Sequence, residues 1–398
     1  MRGSNPNVDL NFGRADAGDS AVVGVFRDVL CQHAEATEVV KARQIGIELG
    51  WKGAPKSGEA GTFSAVYEEG VSGSAALASL RLGRGPEGFA VKRIKHGSYK
   101  LYLLNRARTI GASAAFRPRQ SFAISNAAAV AMGEGAAGVA AAGQSLVDEL
   151  GRITYLGPVR RLAQRDYVWT GHLPGVIGDD GAGAIDALIA SSVAKAAARR
   201  RGLSQSAAGQ LVDDAGRWLS LMGLAEGLEG RRLGQSARYE LHVLADQRSS
   251  NLKDVGVGVS QVLPVIVAAL FAKAGDIVIV EEPESHLHPM AQTQLAELFI
   301  QASRDRGVQF IIESHSEHLL LRLQRRIAER QLEADAVAMY FLKRTSGRAH
   351  IERLKLNGAG DISNWPENFF GDDMTEIAAR TIAAIEHLPR SPQEGSDA

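Results

Sequence analysis

Hydrophobic positions change their period along the chain, and the changes mark its elements. Between Gly61 and Leu104 they alternate with polar positions in four short runs, Thr62–Tyr67, Ala75–Leu82, Phe89–Ile94 and Tyr99–Leu104, divided by glycine and charged turns. Period-two runs of this length predict an antiparallel β-layer. Ahead of it the pattern predicts a loop, a short helix over Val25–His33 and a strand over Gln44–Leu49. Ala127–Gly143 is rich in Ala and Gly and is expected to be flexible, and Ile153–Pro158 reads as a strand running into a turn. Tyr167–Ala184 is expected to be loops, while Ala184–Arg201 and Ala207–Met222 carry helical spacing, as would an arm packed beside a core.

After a strand at Tyr239–Leu244 the pattern turns to strand–helix alternation. A Gly-rich turn leads to a helix at Gln261–Lys273. Apolar strands at Asp276–Val280 and Gln309–Ile312 then alternate with helices at Ala291–Arg304 and Glu317–Gln331. Short apolar strands between helices predict a buried parallel sheet. Val337–Leu342 and Ala349–Leu354 read as closing strands, and Thr375–His387 as a terminal helix.

Composition narrows the partners little. Lys+Arg and Asp+Glu both number 45, so the net charge is zero and only a local patch could attract nucleic acid. The single cysteine, Cys31, excludes an internal disulfide framework and fits a reducing cytosol, so a cytoplasmic protein is expected. The longest apolar run, Val262–Ala272, is too short to span a bilayer and contains Pro264, so no membrane partner is expected. Met1-Arg-Gly-Ser-Asn-Pro-Asn holds loop residues and no apolar strand, as if the chain were entered part-way through a domain.

Three stretches carry candidate chemistry. In Asp276-Ile-Val-Ile-Val-Glu281-Glu282-Pro283-Glu284 an apolar strand ends in two carboxylates at the sheet edge where ligands of open α/β folds bind. ATP hydrolysis needs one carboxylate for Mg2+ and another to orient or deprotonate the attacking water, so Glu281 is assigned the metal and Glu282 the water. Gln309-Phe-Ile-Ile-Glu-Ser314-His315-Ser316 brings a histidine to the same edge, where a neutral imidazole can hydrogen-bond a γ-phosphate or its water. In Asp254-Val-Gly256-Val-Gly258-Val-Ser260-Gln261, glycines and a Ser-capped helix N-terminus could touch phosphate. Each has a plain alternative: a strand reaching the surface, a surface histidine, a helix cap.

The order of these pieces, with Pro-Glu-Ser285-His286-Leu287-His288-Pro289 between the two strands, resembles ABC-type ATPases of the SMC/RecF-like and OLD-like branch of AAA-labelled bacterial ATPases. The resemblance implies an α/β P-loop NTPase core with a parallel sheet, an antiparallel β-lobe and a helical arm, using ATP and Mg2+. It makes Gly256, Gly258, Ser260 and Gln261 the signature, acting in trans on a partner's nucleotide. Glu281 and Glu282 become Walker B, Ser285, His286, Leu287 and His288 the D-loop, and His315 the switch histidine. A homodimer or an intact ATPase subunit is the implied partner, DNA or an effector nuclease a further one, in DNA maintenance or phage defence. Tyr155-Leu-Gly-Pro158 and Trp365-Pro-Glu-Asn-Phe-Phe370 look like one uncharacterised subgroup with a small C-terminal domain of unknown function. The implied divisions are 1–150, the rest of an N-terminal ATPase lobe with the β-layer; 151–250, the arm; 251–350, the C-terminal ATPase lobe; and 351–398, the small domain. Two departures stand out: Glu281 replaces the usual Asp, and Gly256 aligns where Ser is usual.

The sequence contains no G-x-x-x-x-G-K-[ST]. That Walker A loop supplies most phosphate contacts, so the chain alone is expected to hydrolyse ATP poorly or not at all. Gly50-Trp-Lys-Gly-Ala-Pro55-Lys56-Ser57 is the nearest approximation, but Pro55 removes an N–H donor, and a turn between strands is the better reading. Gly133-Glu-Gly135-Ala-Ala-Gly138 matches G-x-G-x-x-G without a strand before it. Glu284, His286, His288, His315 and His318 invite a metal-dependent nuclease reading. Lys195 with Arg199-Arg-Arg201 is either a DNA-contacting patch or a solvated helix face. Three readings compete: a hydrolysing ATPase, a degenerate partner lending its signature to an intact subunit, and that nuclease.

Overall fold

The computed structural model describes residues 32–35, 38–41, 44–51, 60–69, 75–85, 87–94, 97–104, 108–118, 125–201, 209–345 and 348–366. Its fold is mixed α/β, built around two hydrophobic clusters that share no residue.

The first cluster lies under a six-stranded antiparallel sheet in strict chain order, β3 (Gln44–Trp51), β4 (Gly61–Glu69), β5 (Ala75–Arg84), β6 (Glu87–Arg93), β7 (Tyr99–Leu103) and β8 (Arg108–Ser113). Its alternation buries Phe63, Leu80, Leu82, Phe89, Val91 and Leu101 on one face, each such side chain worth ~1.5–3 kcal/mol once out of water. The four runs expected between Gly61 and Leu104 are β4 to β7. A small hairpin precedes them, β1 (Gln32–Glu35) and β2 (Glu38–Lys41). The helix expected over Val25–His33 is therefore not present at Gln32 and His33, which are strand; its other residues lie outside the described ones.

The Ala/Gly-rich stretch corrects the sequence reading. It forms α1 (Asn126–Met132) and α2 (Ala136–Gly151), not a flexible segment. Ser125 caps α1, its Oγ accepting from the N–H of Ala128, and α2 lays Val139, Ala142 and Leu146 on the sheet. Alanine is the best helix former, and a stripe of small residues lets α2 lie close to the strands.

The second cluster surrounds a three-stranded parallel sheet, ordered β15 (Gln309–Glu313), β14 (Ile277–Glu281), β9 (Ile153–Leu156). Register aligns Val280 with Leu156 on one side and Glu281 with Glu313 on the other. Against it packs α5 (Val257–Phe271), buried on nearly every side from Val259 to Ala269, as a central helix must be. Helices α3 (Ala182–Arg200) and α4 (Gln210–Leu221) join the same cluster, with Ala187, Leu188, Ala215 and Leu219 fully buried. A second antiparallel sheet pairs β12 (Arg238–Ala245) with β10 (Tyr167–Val168), β11 (Gly227–Arg232) and β13 (Arg248–Asn251). Helices α6 (Pro289–Arg306) and α7 (Glu317–Ala328) complete it. Among the described residues β15 pairs only with β14, and its Ile311 is 51% exposed.

The two expected closing strands, β16 (Met339–Thr345) and β17 (Arg348–Leu354), form a hairpin of their own and add nothing to the parallel sheet. Residues 52–59 and 367–398, with the expected terminal helix Thr375–His387, lie outside the described residues. Among those described, no helix is long and apolar enough to cross a membrane.

Candidate functional site

Two neighbouring parallel strands deliver their polar ends to one edge. At the end of β14 Glu281 pairs with Glu313 of β15, and the Glu282 N–H continues the ladder to the Glu313 carbonyl at 2.9 Å. The chain then turns at Glu282, whose φ of 43° is left-handed, a conformation costing a residue with a Cβ ~1–2 kcal/mol. Ser285 Oγ donates to Glu282 Oε2 at 2.9 Å. Past β15, the N–H of His315 donates to Glu284 Oε1 at 2.6 Å, tying the two strand exits together. Ser316 caps α7, accepting from Leu319 N–H, and donates to Gln292 Oε1 at 2.7 Å.

The result is a cleft of about 470 Å³ lined by Glu282, Glu284, Ser285, His286, His315 and Ser316, among others, a size within the range of small-molecule sites. The His315 side chain is 79% exposed there, its Nε2 3.5 Å from Glu313 Oε1. Glu281 does not line the cleft. Its Oε1 accepts from Tyr155 Oη at 2.9 Å, across β9. The two successive carboxylates are thus held by different neighbours, Tyr155 and Ser285.

The Gly-rich segment is placed differently from its sequence reading. Helix α5 starts at Val257 with Gly256 as N-cap, so Ser260 lies inside the first turn and is not a cap. Ser260 is buried, and its Oγ donates to the Val257 carbonyl at 2.9 Å. Gln261 is also buried, its Nε2 3.4 Å from the Arg160 carbonyl. Gly256 faces open space, whereas a Cβ on Gly258 would stand 2.6 Å from the His286 carbonyl. The segment therefore packs against the Ser285–His288 turn. In that turn Leu287 is buried and His286 exposed with φ 66°. His288 caps α6 through Nδ1.

No group of three or more His, Cys, Asp or Glu able to hold a metal occurs among the described residues, so the five residues read as a nuclease centre do not assemble into one. Mg2+ in a nucleotide site needs less: one or two carboxylates, with the remaining ligands from phosphate and water. Glu281, fixed by the Tyr155 hydroxyl, fits that requirement.

Residues 161–322 match the family described as AAA domain, putative AbiEii toxin, Type IV TA system. A stretch of 91 residues is 30% identical to ABC transporter I family member 17 of Arabidopsis thaliana, covering 22% of this chain. These matches support an ABC-type P-loop ATPase core. The chain spans 35% of the length of that plant relative. Residues 332–379 match a family described as a protein of unknown function, DUF3696. Among solved structures, the SMC head domain from Thermotoga maritima aligns over 76% of both chains at 14% identity and a TM-score of 0.30. The Smc head from Pyrococcus furiosus bound to the C-terminal domain of ScpA aligns over 82% of this chain and 80% of its own, at 11% identity and 0.32. At these scores neither likeness bears on the site.

Sequence reasoning assigned no role to two residues that touch the acidic turn. Tyr155 was visible as part of a strand and of a subgroup motif but with no role, and Arg160, 3% exposed, carried no signal of its own. Burial, and then the bond to Glu281, push the Tyr155 hydroxyl up to about 12. The neutral, donating form is thus held in the folded state well above the usual value of about 10. Burial also raises Tyr167, so ultraviolet titration of the seven tyrosines is expected to show more than one ionising late, and Tyr155→Phe is expected to remove the step near pH 12. Loss of an ordinary tyrosine near pH 10 instead would disprove the assignment.

Proposed function

We propose that this chain provides an ABC-type ATP hydrolysis site with Glu282 as the residue that orients or deprotonates the attacking water. His315 hydrogen-bonds the γ-phosphate or that water, and Glu281 holds Mg2+. The metal, when bound, neutralises phosphate charge and polarises the γ-phosphoryl group. The observation that carries the reading is the shared cleft of Glu282 and His315 at the exits of two adjacent parallel strands. Among the described residues the Glu282 carboxylate accepts only from Ser285 Oγ, leaving an oxygen for water.

The signature would act in trans, which makes a homodimer the proposed assembly. Open space at Gly256 and the 45% exposure of Val257 support that face. Ser260 is turned inward, so Gly256 and its neighbouring N–H groups are the proposed phosphate contacts. DNA maintenance or phage defence is the setting the family resemblance suggests.

Phosphate release at about 10 mM Mg–ATP tests the reading: turnover is expected to be slow, and Glu282→Gln is expected to lower it about 100- to 10,000-fold, as loss of a general base does. A Glu282→Gln variant as active as the parent overturns the assignment. The absence of G-x-x-x-x-G-K-[ST] favours one second reading, a partner subunit that lends its signature loop without hydrolysing ATP. No release from either protein would support that reading.

A further inference from the structure

Of the segment Tyr155-Leu-Gly-Pro-Val-Arg160, only Tyr155 enters the nucleotide reading above, through its bond to Glu281, yet the last residue sits under the acidic turn. Arg160 Nη2 donates to the carbonyl of Glu281 at 2.5 Å and to that of Glu282 at 3.2 Å. In an extended strand successive carbonyls point to opposite sides. One nitrogen reaches two in a row only where the backbone between them reverses, and the positive φ of Glu282 is that reversal. The N–H of the same residue stays on β15, bonded to the Glu313 carbonyl. Its peptide groups are therefore held by the sheet on one side and by a buried cation on the other. The side chain leaves toward the cleft, where Ser285 Oγ meets it.

We propose that Arg160 is a positioning residue whose guanidinium holds Glu282 in the left-handed turn that aims its carboxylate into the His315 cleft. The kinetic consequence rests on the role proposed for Glu282; the geometry does not.

Three further observations fit a cation placed for this task. Burial lowers the guanidinium's affinity for its proton, while Glu284 and Glu282 raise it, so the acidic turn itself keeps a charge in a place that disfavours one. Among the described residues Arg160 Nε and Nη1 and Glu284 Oε2 are buried without hydrogen-bond partners, so the guanidinium's hydrogen bonds there all go to the two carbonyls. The Arg160 carbonyl also meets Gln261 of α5, so one residue joins the signature helix to the acidic turn.

Crystal structures of the full chain and of Arg160→Met test the proposal without any turnover. In the variant Glu282 is expected to return to negative φ and to lose its contact with Ser285. A variant that keeps both features overturns the proposal, whatever becomes of the ATPase reading. In phosphate-release assays, Arg160→Met is expected to lower kcat about 100-fold with KM within about threefold, and Arg160→Lys, which keeps a cation for the carbonyls, to recover about tenfold. Rates equal to the parent in Arg160→Met overturn the proposal, as does no recovery by lysine. Should Arg160→Met fail to fold, the structure of Arg160→Lys decides. Lysine Nζ on the two carbonyls is expected, and a retained turn with Nζ elsewhere sinks the idea.

Discussion

Titrated by calorimetry, the full chain is expected to bind Mg–ATP no more tightly than about 1 mM. Among the described residues the cleft is lined by three carboxylates, Glu282, Glu284 and Glu317, against three histidines, His286, His315 and His318, and by no lysine or arginine. Phosphate entering it meets like charge unless Mg2+ comes with it. The backbone cradle and lysine of a G-x-x-x-x-G-K-[ST] loop would supply several charge-assisted hydrogen bonds, each worth about 1.5–3 kcal/mol. Lacking three of these costs ~5–9 kcal/mol, or roughly three to six orders of magnitude in Kd. Micromolar binding by the chain alone would show that another loop does the cradling, with Gly50–Ser57 the first to mutate.

The second large effect concerns stability. Gly181→Val is expected to cost about 3–5 kcal/mol and to lower Tm by roughly 10 °C, measured by scanning calorimetry. Gly181 has φ 77°, and a Cβ there would stand 2.5 Å from Pro264 Cβ and 3.4 Å from Leu156 Cδ1. It is where the start of α3 passes over α5 and the end of β9, so nothing nearby is free to yield. Gly234 is the control. Its φ of 56° carries the same conformational penalty but its Cβ would meet nothing within 4 Å, so Gly234→Ala should cost only the left-handed term, ~1–2 kcal/mol. Equal melting of Gly181→Val and the parent would show that the close approach to Pro264 is not a constraint.

What the sequence made legible was local. β4 to β7 followed from alternation, and β14 and β15 from apolar runs that end in acids, because side-chain period and strand length are properties of neighbouring residues. Glu281, Glu282 and His315 stood out as candidates for the same reason. The parallel partner of β14 was not: β9 lies more than a hundred residues earlier, and nothing in Ile153–Leu156 says which strand it will join. Arg160 was hidden likewise, since its partners are backbone carbonyls of a distant turn, which leave no mark on side-chain chemistry. Ser260 was misread because a serine before an apolar run looks like a cap. The helix instead begins at Val257, where burial of Val259, Val262 and Leu263 outweighs the poor helix propensity of a Val-Gly-Val start. The Ala/Gly run failed for the opposite reason, glycine having been weighed above alanine.

That the two hydrophobic clusters have no residue in common bears on how the molecule can be altered. Substitutions whose partners do not overlap add in their effect on stability. Repacking beneath the six-stranded sheet, at Leu82 or Leu101, should therefore leave the acidic turn and its cleft as they were. A designer, or natural drift, can rewrite the β-lobe almost as if it were a separate text. The same freedom does not extend to Gly181, Pro264 or Leu156, where three segments share one small space and each change must be answered by the others.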